Sequence, residues 1–276
     1  VARVLELAKK TPRLTEIHIV SALHPDRLFS YYEGVVRQVR AALPHADIKA
    51  FTPVEVVNFA KTEGTSVRDI LRTLQAAGLS SLPGGGAEIL SDRVRAIICP
   101  NKATRAEWLD CMRTAHELGI RTNASMMYGH IETVEERIDH LLALRDLQDE
   151  TGGFQAFMLF PFHPENTALG AEKKLMRVGS WEDMKMLALA RLVLDNVAHF
   201  KAFWVMLTQP IAQLALGFGA DDLDGTIGEE KIIHAAGAQT QTGITRRELD
   251  AMIREAGYVP VERDTFYQPI AAGEGA

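Results

Sequence analysis

The chain of 276 residues reads as an α/β protein on a parallel sheet, and the expected closure is a (β/α)8 TIM-type barrel lacking its first βα unit. Three observations carry this expectation. Short β-rich runs alternate with longer helical runs from end to end. The run Phe154 to Phe160 is almost wholly apolar, as a strand covered on both faces must be. Polar and glycine-rich stretches recur just after the strands, where a βα barrel keeps its chemistry. The alternative, a doubly wound open sheet, is marked by a G-x-G-x-x-G turn with a downstream acid, and the sequence has none. Residues 1–276 are expected to form one domain, with 228–276 as C-terminal helices and a closing strand.

Taken in order, Glu16 to Val20 reads as the first strand, and Leu28 to Leu43 has helical spacing that stops at Pro44. Asp47 to Thr52 is the next strand, ended by Pro53. Helices follow over Pro53–Thr62 and Ser66–Ala77, the second with Ser66 as its cap and Gly78 just past its end. Leu79 to Leu82 leads into a triple glycine. Thr104 and Glu107 form a capping box for a helix to Leu118. Arg121 to Tyr128 is a strand and Thr133 to Glu150 a long helix with Gly152 beyond it. After Phe160 the pattern predicts a helix over Trp181–Asn196 and a strand over Phe200–Leu207. Helices at Gln209–Phe218, Gly228–Ala236 and Thr245–Ala256 and a last strand at Tyr258–Glu262 complete the chain.

Composition narrows the function. The chain is 47% hydrophobic and 24% charged, with a net charge of −6 and a pI near 5.9, which argues against nucleic-acid binding. It has no basic tract for an anionic membrane and no apolar run near the roughly 20 residues a spanning helix needs. Cys99 and Cys111 are its only cysteines, too few for a disulfide scaffold, so a cytoplasmic protein is expected.

The strand ends gather polar residues: Ser21-Ala-Leu-His-Pro25, Phe51-Thr-Pro53 with Glu55, Pro83 to Gly86 with Glu88, Asn123 to Glu132, Phe162 to Asn166, then Trp204, Met206 and Gln209, and Ala220 to Gly225. Each has a plain structural reading. Three glycines make a tight turn, Glu88 complements a helix dipole, and His130 and His163 satisfy a core. A plain turn rarely needs three glycines, however, and bare backbone lets a bulky ligand approach. Asn123 and Ser125 lie one strand period apart, so both point to one face, where polar groups need partners or a ligand. The acids Asp221, Asp222 and Asp224 are either solvated or grip a ribose or metal. Asp139 and His140 sit in a helix that reads as surface-facing, with no chemistry assigned.

Several stretches resemble the radical S-adenosylmethionine enzymes of menaquinone and deazaflavin synthesis: Leu82-Pro-Gly-Gly-Gly-Ala-Glu-Ile89, Tyr128-Gly-His-Ile-Glu-Thr133, Leu147-Gln-Asp-Glu-Thr-Gly-Gly-Phe154 and His163-Pro-Glu-Asn-Thr167. Lys49-Ala-Phe-Thr52, Lys201-Ala-Phe-Trp-Val-Met206, Phe218 to Thr226 and Pro260 to Thr265 are similar to the aminofutalosine synthases of the futalosine pathway. The resemblance runs from about His18 to Tyr267. It implies a radical SAM barrel holding a 4Fe-4S cluster on a C-x-x-x-C-x-x-C loop, S-adenosylmethionine on the cluster, and a reductant such as flavodoxin or ferredoxin. The implied reaction adds the 5′-deoxyadenosyl radical to 3-[(1-carboxyvinyl)oxy]benzoate and gives 6-amino-6-deoxyfutalosine. Alternatives are the cyclising dehypoxanthinyl futalosine synthase and a catalytically inactive barrel that serves as a binding subunit.

Carried onto this sequence, the resemblance puts cofactor contacts at Ser21, Ala22, Gly84, Gly85, Gly86, Glu88, Asn123, Ser125, Tyr128 and His130. Gly84 to Gly86 would admit the adenosine and Glu88 would accept from ribose hydroxyls. His24, His163, Glu165 and Asn166 are expected to orient substrate or move a proton. The sequence departs from the family twice. Ser21-Ala22 stands where the family has Gly-Gly, and the cysteine triad is absent. No metal ligand is assigned within the chain. The start inside a helical pattern, without methionine, predicts that the triad lies upstream of Val1; a decayed homologue is the other reading.

Overall fold

A computed structural model describes residues 2–9, 14–21, 23–24, 26–226, 232–237, 240 and 243–270. Its strands are β1 (Glu16–Ile19), β2 (Asp47–Ala50), β3 (Ser81–Leu82), β4 (Arg121–Tyr128), β5 (Phe154–Pro161) and β6 (His199–Lys201). They follow one another in chain order in one sheet, and the registers between β1 and β4 and between β5 and β6 are parallel. Between them run α1 (Ala2–Lys9), α2 (Phe29–Ala42), α3 (Pro53–Glu63), α4 (Val67–Ala77), α5 (Asp92–Ile98), α6 (Arg105–Glu117) and α7 (Val134–Thr151). Then come α8 (Ala168–Lys173), α9 (Ser180–Val193), α10 (Trp204–Leu207), α11 (Gln209–Ala215), α12 (Ile232–Ala235) and α13 (Arg246–Glu255). Parallel strands in chain order with helices between them are the TIM-type barrel class.

The chain divides into two compact units. The first holds Val1–Gly86, Lys102–Asn123 and Val261–Ala276; the second holds Ala87–Asn101 and Ala124–Pro260.

In the first unit β1 and β2 pair from Glu16 opposite Asp47 to Ile19 opposite Ala50. One face of these strands packs on helices: Ile48, Ala50 and Leu82 join Val36, Val39, Leu71 and Leu74 in a buried apolar core. The other face is polar. Lys49, only 2% exposed, donates to Glu16 at 2.7 Å, and Thr265 donates to the same carboxylate. Helix α3 starts at a complete capping box, Thr52 with Glu55, and its Pro53 fits the first turn, where no N–H partner is required. Leu28 cannot cap α2, so Glu63 at the end of α3 does so instead and accepts from the Phe29 N–H at 2.9 Å.

In the second unit Ala156 to Met158 of β5 pair with His199 to Lys201 of β6, and Phe157 and Phe200 are fully buried. The stretch Leu147 to Phe154 becomes legible here. Gly152 ends α7 at φ 61°, a left-handed conformation suited to glycine, while Gln148 turns back to donate to and accept from the Phe154 backbone.

Three expectations are corrected. The strand foreseen over Phe200–Leu207 ends at Lys201: Phe203 caps α10, whose Met206 and Leu207 amides bond its carbonyl. Aromatic and β-branched residues favour a strand there, but a helical turn closing on the Phe203 carbonyl overrides that propensity. No strand forms over Tyr258–Glu262; the chain makes only an isolated antiparallel bridge, Arg263 with Pro269. His140 is fully buried, not surface-facing, and its Nδ1 accepts from the Leu90 N–H at 2.9 Å. Of the helix foreseen over Gly228–Ala236, residues 228–231 lie outside the described residues, and α12 covers Ile232–Ala235. Among the described residues no helix is long and apolar enough to cross a membrane.

Candidate active site

Strand ends in the first unit are organised by Glu55, which the sequence pattern places at a strand end without giving it a role. Glu55 is 2% exposed, and its carboxylate accepts four hydrogen bonds. Oε1 takes the Ser21 N–H at 3.0 Å and the Ser21 hydroxyl at 2.8 Å. Oε2 takes the Thr52 N–H at 2.7 Å and the Thr52 hydroxyl at 2.9 Å. One acid thus fixes the chain just past β1 and caps α3. The Ser21 hydroxyl is turned onto Glu55. Ala22 lies outside the described residues. Between the ends, Phe51 is buried at φ 59°, an uncommon conformation for an aromatic residue.

The triple glycine has a packing reason. A Cβ on Gly85 would come within 2.9 Å of Thr52 Cγ2, and one on Gly86, at φ +77°, within 2.5 Å of Val54 Cγ2. The loop lies against the first turn of α3, and the Trp108 indole N–H donates to the Gly85 carbonyl at 3.3 Å. Gly86→Ala is expected to cost about 2 kcal/mol, from a left-handed Cβ plus overpacking. Urea unfolding checks this, and a loss below about 0.5 kcal/mol would contradict it. Beyond the loop, Glu88 is half-buried at φ 46°, and its carbonyl accepts from the Met127 N–H at 2.6 Å.

On β4, Asn123 and Ser125 are 2% and 3% exposed, one strand period apart as expected. Tyr128 has the opposite parity. Its hydroxyl donates to Asp183 of α9 at 2.5 Å, Arg177 binds the same carboxylate at 3.0 Å, and its ring lies 5.5 Å below the Arg137 guanidinium. Burial first, then the Asp183 charge, pushes the Tyr128 hydroxyl well above its ordinary pKa. It is a helix-facing structural group here.

The turn after β4 is built around Glu132. Its carboxylate accepts the N–H groups of Gly129 at 2.6 Å and His130 at 2.9 Å, pairs with Arg137 at 2.7 Å, and lies 2.8 Å from His130 Nδ1. Burial alone would raise the Glu132 pKa. The His130 imidazole and the two N–H groups more than offset this and hold it at about 2, against an ordinary 4.5. A carboxyl depressed on folding stabilises fully above its unfolded value and loses that contribution as pH falls toward the folded one. The drop from 4.5 to about 2 corresponds to roughly 3 kcal/mol, lost as pH falls through that window. Glu132→Gln is therefore expected to flatten the acid limb of stability, read from urea melts across the window. Equal acid losses in variant and wild type would contradict it.

At the β5 end, His163 Nε2 lies 3.1 Å from the Met206 carbonyl, and burial lowers its pKa below the usual range. The neutral ring therefore carries its proton on Nε2 and presents Nδ1 as an acceptor. Asn166 spends its donors on the end of α12: its N–H on the Ala236 carbonyl at 3.1 Å and its side-chain amide on that of Ala235 at 3.2 Å. Glu165 lies alongside, so close that a Cβ on Gly237 would come within 2.7 Å of its own. The acids after β6 are ion-paired: Asp221 with His199 at 2.7 Å, Asp224 with the buried Lys201. Among the described residues no three His, Cys, Asp or Glu side chains are grouped to hold a metal.

His24 follows β1. Its Nδ1 accepts from the Asp26 N–H at 3.1 Å. It lines a cavity with Arg27, two residues past the stretch that the sequence pattern singles out.

Known proteins match the chain over nearly its whole length. The Radical SAM superfamily matches residues 1–144, and the CofH/MqnC C-terminal region matches residues 151–274. The aminodeoxyfutalosine synthase of Thermus thermophilus is 48% identical over 261 residues, 94% of this chain and 70% of that protein. Its namesake from Streptomyces coelicolor is 43% identical over 98% of this chain and 72% of its own. The 5-amino-6-(D-ribitylamino)uracil–L-tyrosine 4-hydroxyphenyl transferase of Methanococcoides burtonii is 42% identical over 93% of this chain and 73% of its own. Among solved structures, methylornithine synthase superposes with a TM-score of 0.67 at 14% identity, covering 95% of this chain and 74% of its own, which establishes a shared fold.

Proposed function

The chain belongs to the radical SAM superfamily, in the branch with a CofH/MqnC-type C-terminal region, and from that membership we propose that it makes 6-amino-6-deoxyfutalosine by joining the 5′-deoxyadenosyl group of S-adenosylmethionine to 3-[(1-carboxyvinyl)oxy]benzoate. The observation that carries this reading is the 48% identity to the Thermus aminodeoxyfutalosine synthase, against 42% to the Methanococcoides 4-hydroxyphenyl transferase. A cytoplasmic location and a flavodoxin- or ferredoxin-type reductant belong to the same reading.

In this chemistry a 4Fe-4S cluster would supply the electron and S-adenosylmethionine the adenosyl group. The cysteines in hand do not fit that cluster. Cys99 and Cys111 are both buried, and burial drives the Cys111 thiol pKa up, the reverse of what a metal thiolate needs. The polar groups present do suit the nucleoside. Nucleoside contacts are assigned within each unit by itself: in the first, backbone at Ser21 and Gly84 and the buried Asn123; in the second, Glu88 and the buried Ser125. Glu55 holds Ser21 in place. His163, neutral with a free Nδ1 lone pair, is assigned the proton-accepting role, with Glu165 and Asn166 shaping its loop.

Cluster-loaded protein from the complete gene is incubated anaerobically with S-adenosylmethionine and either 3-[(1-carboxyvinyl)oxy]benzoate or the transferase pair, 5-amino-6-(D-ribitylamino)uracil and L-tyrosine. Mass spectrometry is expected to show aminofutalosine from the first alone. A 4-hydroxyphenyl adduct from the second, with no aminofutalosine, would replace this reading with the transferase, which the 42–43% identity of two archaeal enzymes keeps as the second candidate.

A further inference from the structure

Helix α3 grips the β1–α2 loop at both ends. Glu55 in its first turn holds Ser21, and Glu63 at its end holds the Phe29 N–H. Leu23, His24 and Arg27 of this loop line a cavity of about 120 Å³ together with α2 and α3. Its apolar wall is aromatic: Phe59 stacks 4.6 Å from Tyr32 and 5.5 Å from Phe29. Its polar lining comes from Arg27, His24 and Asn58. His24 Nδ1 already accepts from Asp26, so a neutral His24 bears its proton on Nε2. Among the described residues, neither the Arg27 guanidinium nor the Asn58 amide has a hydrogen-bond partner; Arg27 only lies over the Tyr31 ring at 5.0 Å.

Three donors beside an aromatic wall select a small ring bearing an acceptor anion. A closed cavity of about 150 Å³ is known to hold benzene, and the space here, somewhat smaller but open at one side, is of the order of one ring with its charged group at the rim. A guanidinium, an amide N–H₂ and an imidazole N–H match the lone pairs of a carboxylate. We infer that this cavity is a binding subsite for an aromatic carboxylate, with Arg27 as the anchor and Asn58 and His24 as orienting donors. The inference rests on the proposed function in one respect: it assigns the benzoate end of that substrate to this cavity.

The test separates the two. Isothermal titration calorimetry measures benzoate and its neutral isostere benzamide against the protein, with no S-adenosylmethionine or substrate present. Benzoate is expected to bind at least about tenfold more tightly than benzamide. Arg27→Met is expected to abolish that preference, and Arg27→Lys to retain part of it, since lysine keeps the charge but loses the fork. Arg27 is exposed, so both variants should keep the wild-type melting temperature. If a variant does fail to fold, shifts of the His24 ring resonances on adding benzoate to wild type serve instead. Equal affinity for benzoate and benzamide, an unchanged preference in Arg27→Met, or no His24 shift would overturn the subsite. Aminofutalosine formation with an unchanged KM in Arg27→Met would also overturn it while leaving the proposed reaction intact. A benzoate preference lost in Arg27→Met, in a protein that makes no aminofutalosine, would uphold the subsite and remove the reaction.

Discussion

Glu55→Ala is expected to destabilise the protein by about 4 kcal/mol, because four donors lose their acceptor at once and each stranded group costs about 1 kcal/mol or more. For a chain of this size that corresponds to a melting temperature lower by roughly 10 °C. Two companion substitutions test the cause. Ser21→Gly removes one hydroxyl and leaves the Ser21 N–H bond in place, so its cost should stay within about 1 kcal/mol. Glu55→Gln keeps the shape but sets an amide N–H₂ against either the Ser21 or the Thr52 N–H, and it should fall between the two, near about 2 kcal/mol. Differential scanning calorimetry reads all three. Glu55→Ala melting within about 2 °C of wild type would show that water replaces the carboxylate and that the clamp is not rigid. S-adenosylmethionine affinity should fall in the same order, since the backbone past β1 is one of its proposed supports.

What could be read from the sequence was local. Thr52, Ser66, Thr104, Thr133 and Thr245 each cap the helix that follows, and four of them have glutamate three residues on, so the start signal is complete within four residues. The long strands were legible for the same reason: Arg121 to Tyr128 was expected to the residue. The site was less so. Glu55 meets Ser21 across 34 positions, and Asn166 meets Ala235 across 69. Neither pairing leaves a local pattern. His140 sits at the position where α7 turns inward to meet Leu90, 50 residues earlier, which a helix of low amphipathic contrast does not advertise.

Tyr128 is a different case, because its signal was present. Asn123 and Ser125 share one face of β4, and the period of two places Met127 with them and Tyr128 on the other side. Motif similarity grouped all three as cofactor contacts; strand parity alone separates the tyrosine. The glycines teach the converse. They were expected to serve a ligand, and for Gly85 and Gly86 the neighbouring side chains of Thr52 and Val54 are reason enough for a missing Cβ.

The parity of Tyr128 makes a sharp prediction. Asp183 is 1% exposed and joins the Tyr128 hydroxyl to the Arg177 guanidinium. Asp183→Ala leaves a buried hydroxyl unpaired and strands a cation beside it, and breaking such a pair is expected to cost about 4 kcal/mol. Tyr128→Phe removes one partner only and leaves Asp183 with Arg177, so its cost should be about 1 kcal/mol. The double variant should cost less than the sum, because once Asp183 is gone the hydroxyl has nothing to bind. Urea unfolding of the three proteins measures the coupling. The functional arm is S-adenosylmethionine binding. A hydroxyl committed to the helix layer contributes nothing to the cofactor, so Tyr128→Phe should bind it as wild type does. If Tyr128→Phe instead weakens S-adenosylmethionine binding by about tenfold while its stability stays near wild type, the tyrosine turns toward the ligand and the Asp183 contact is not its resting state.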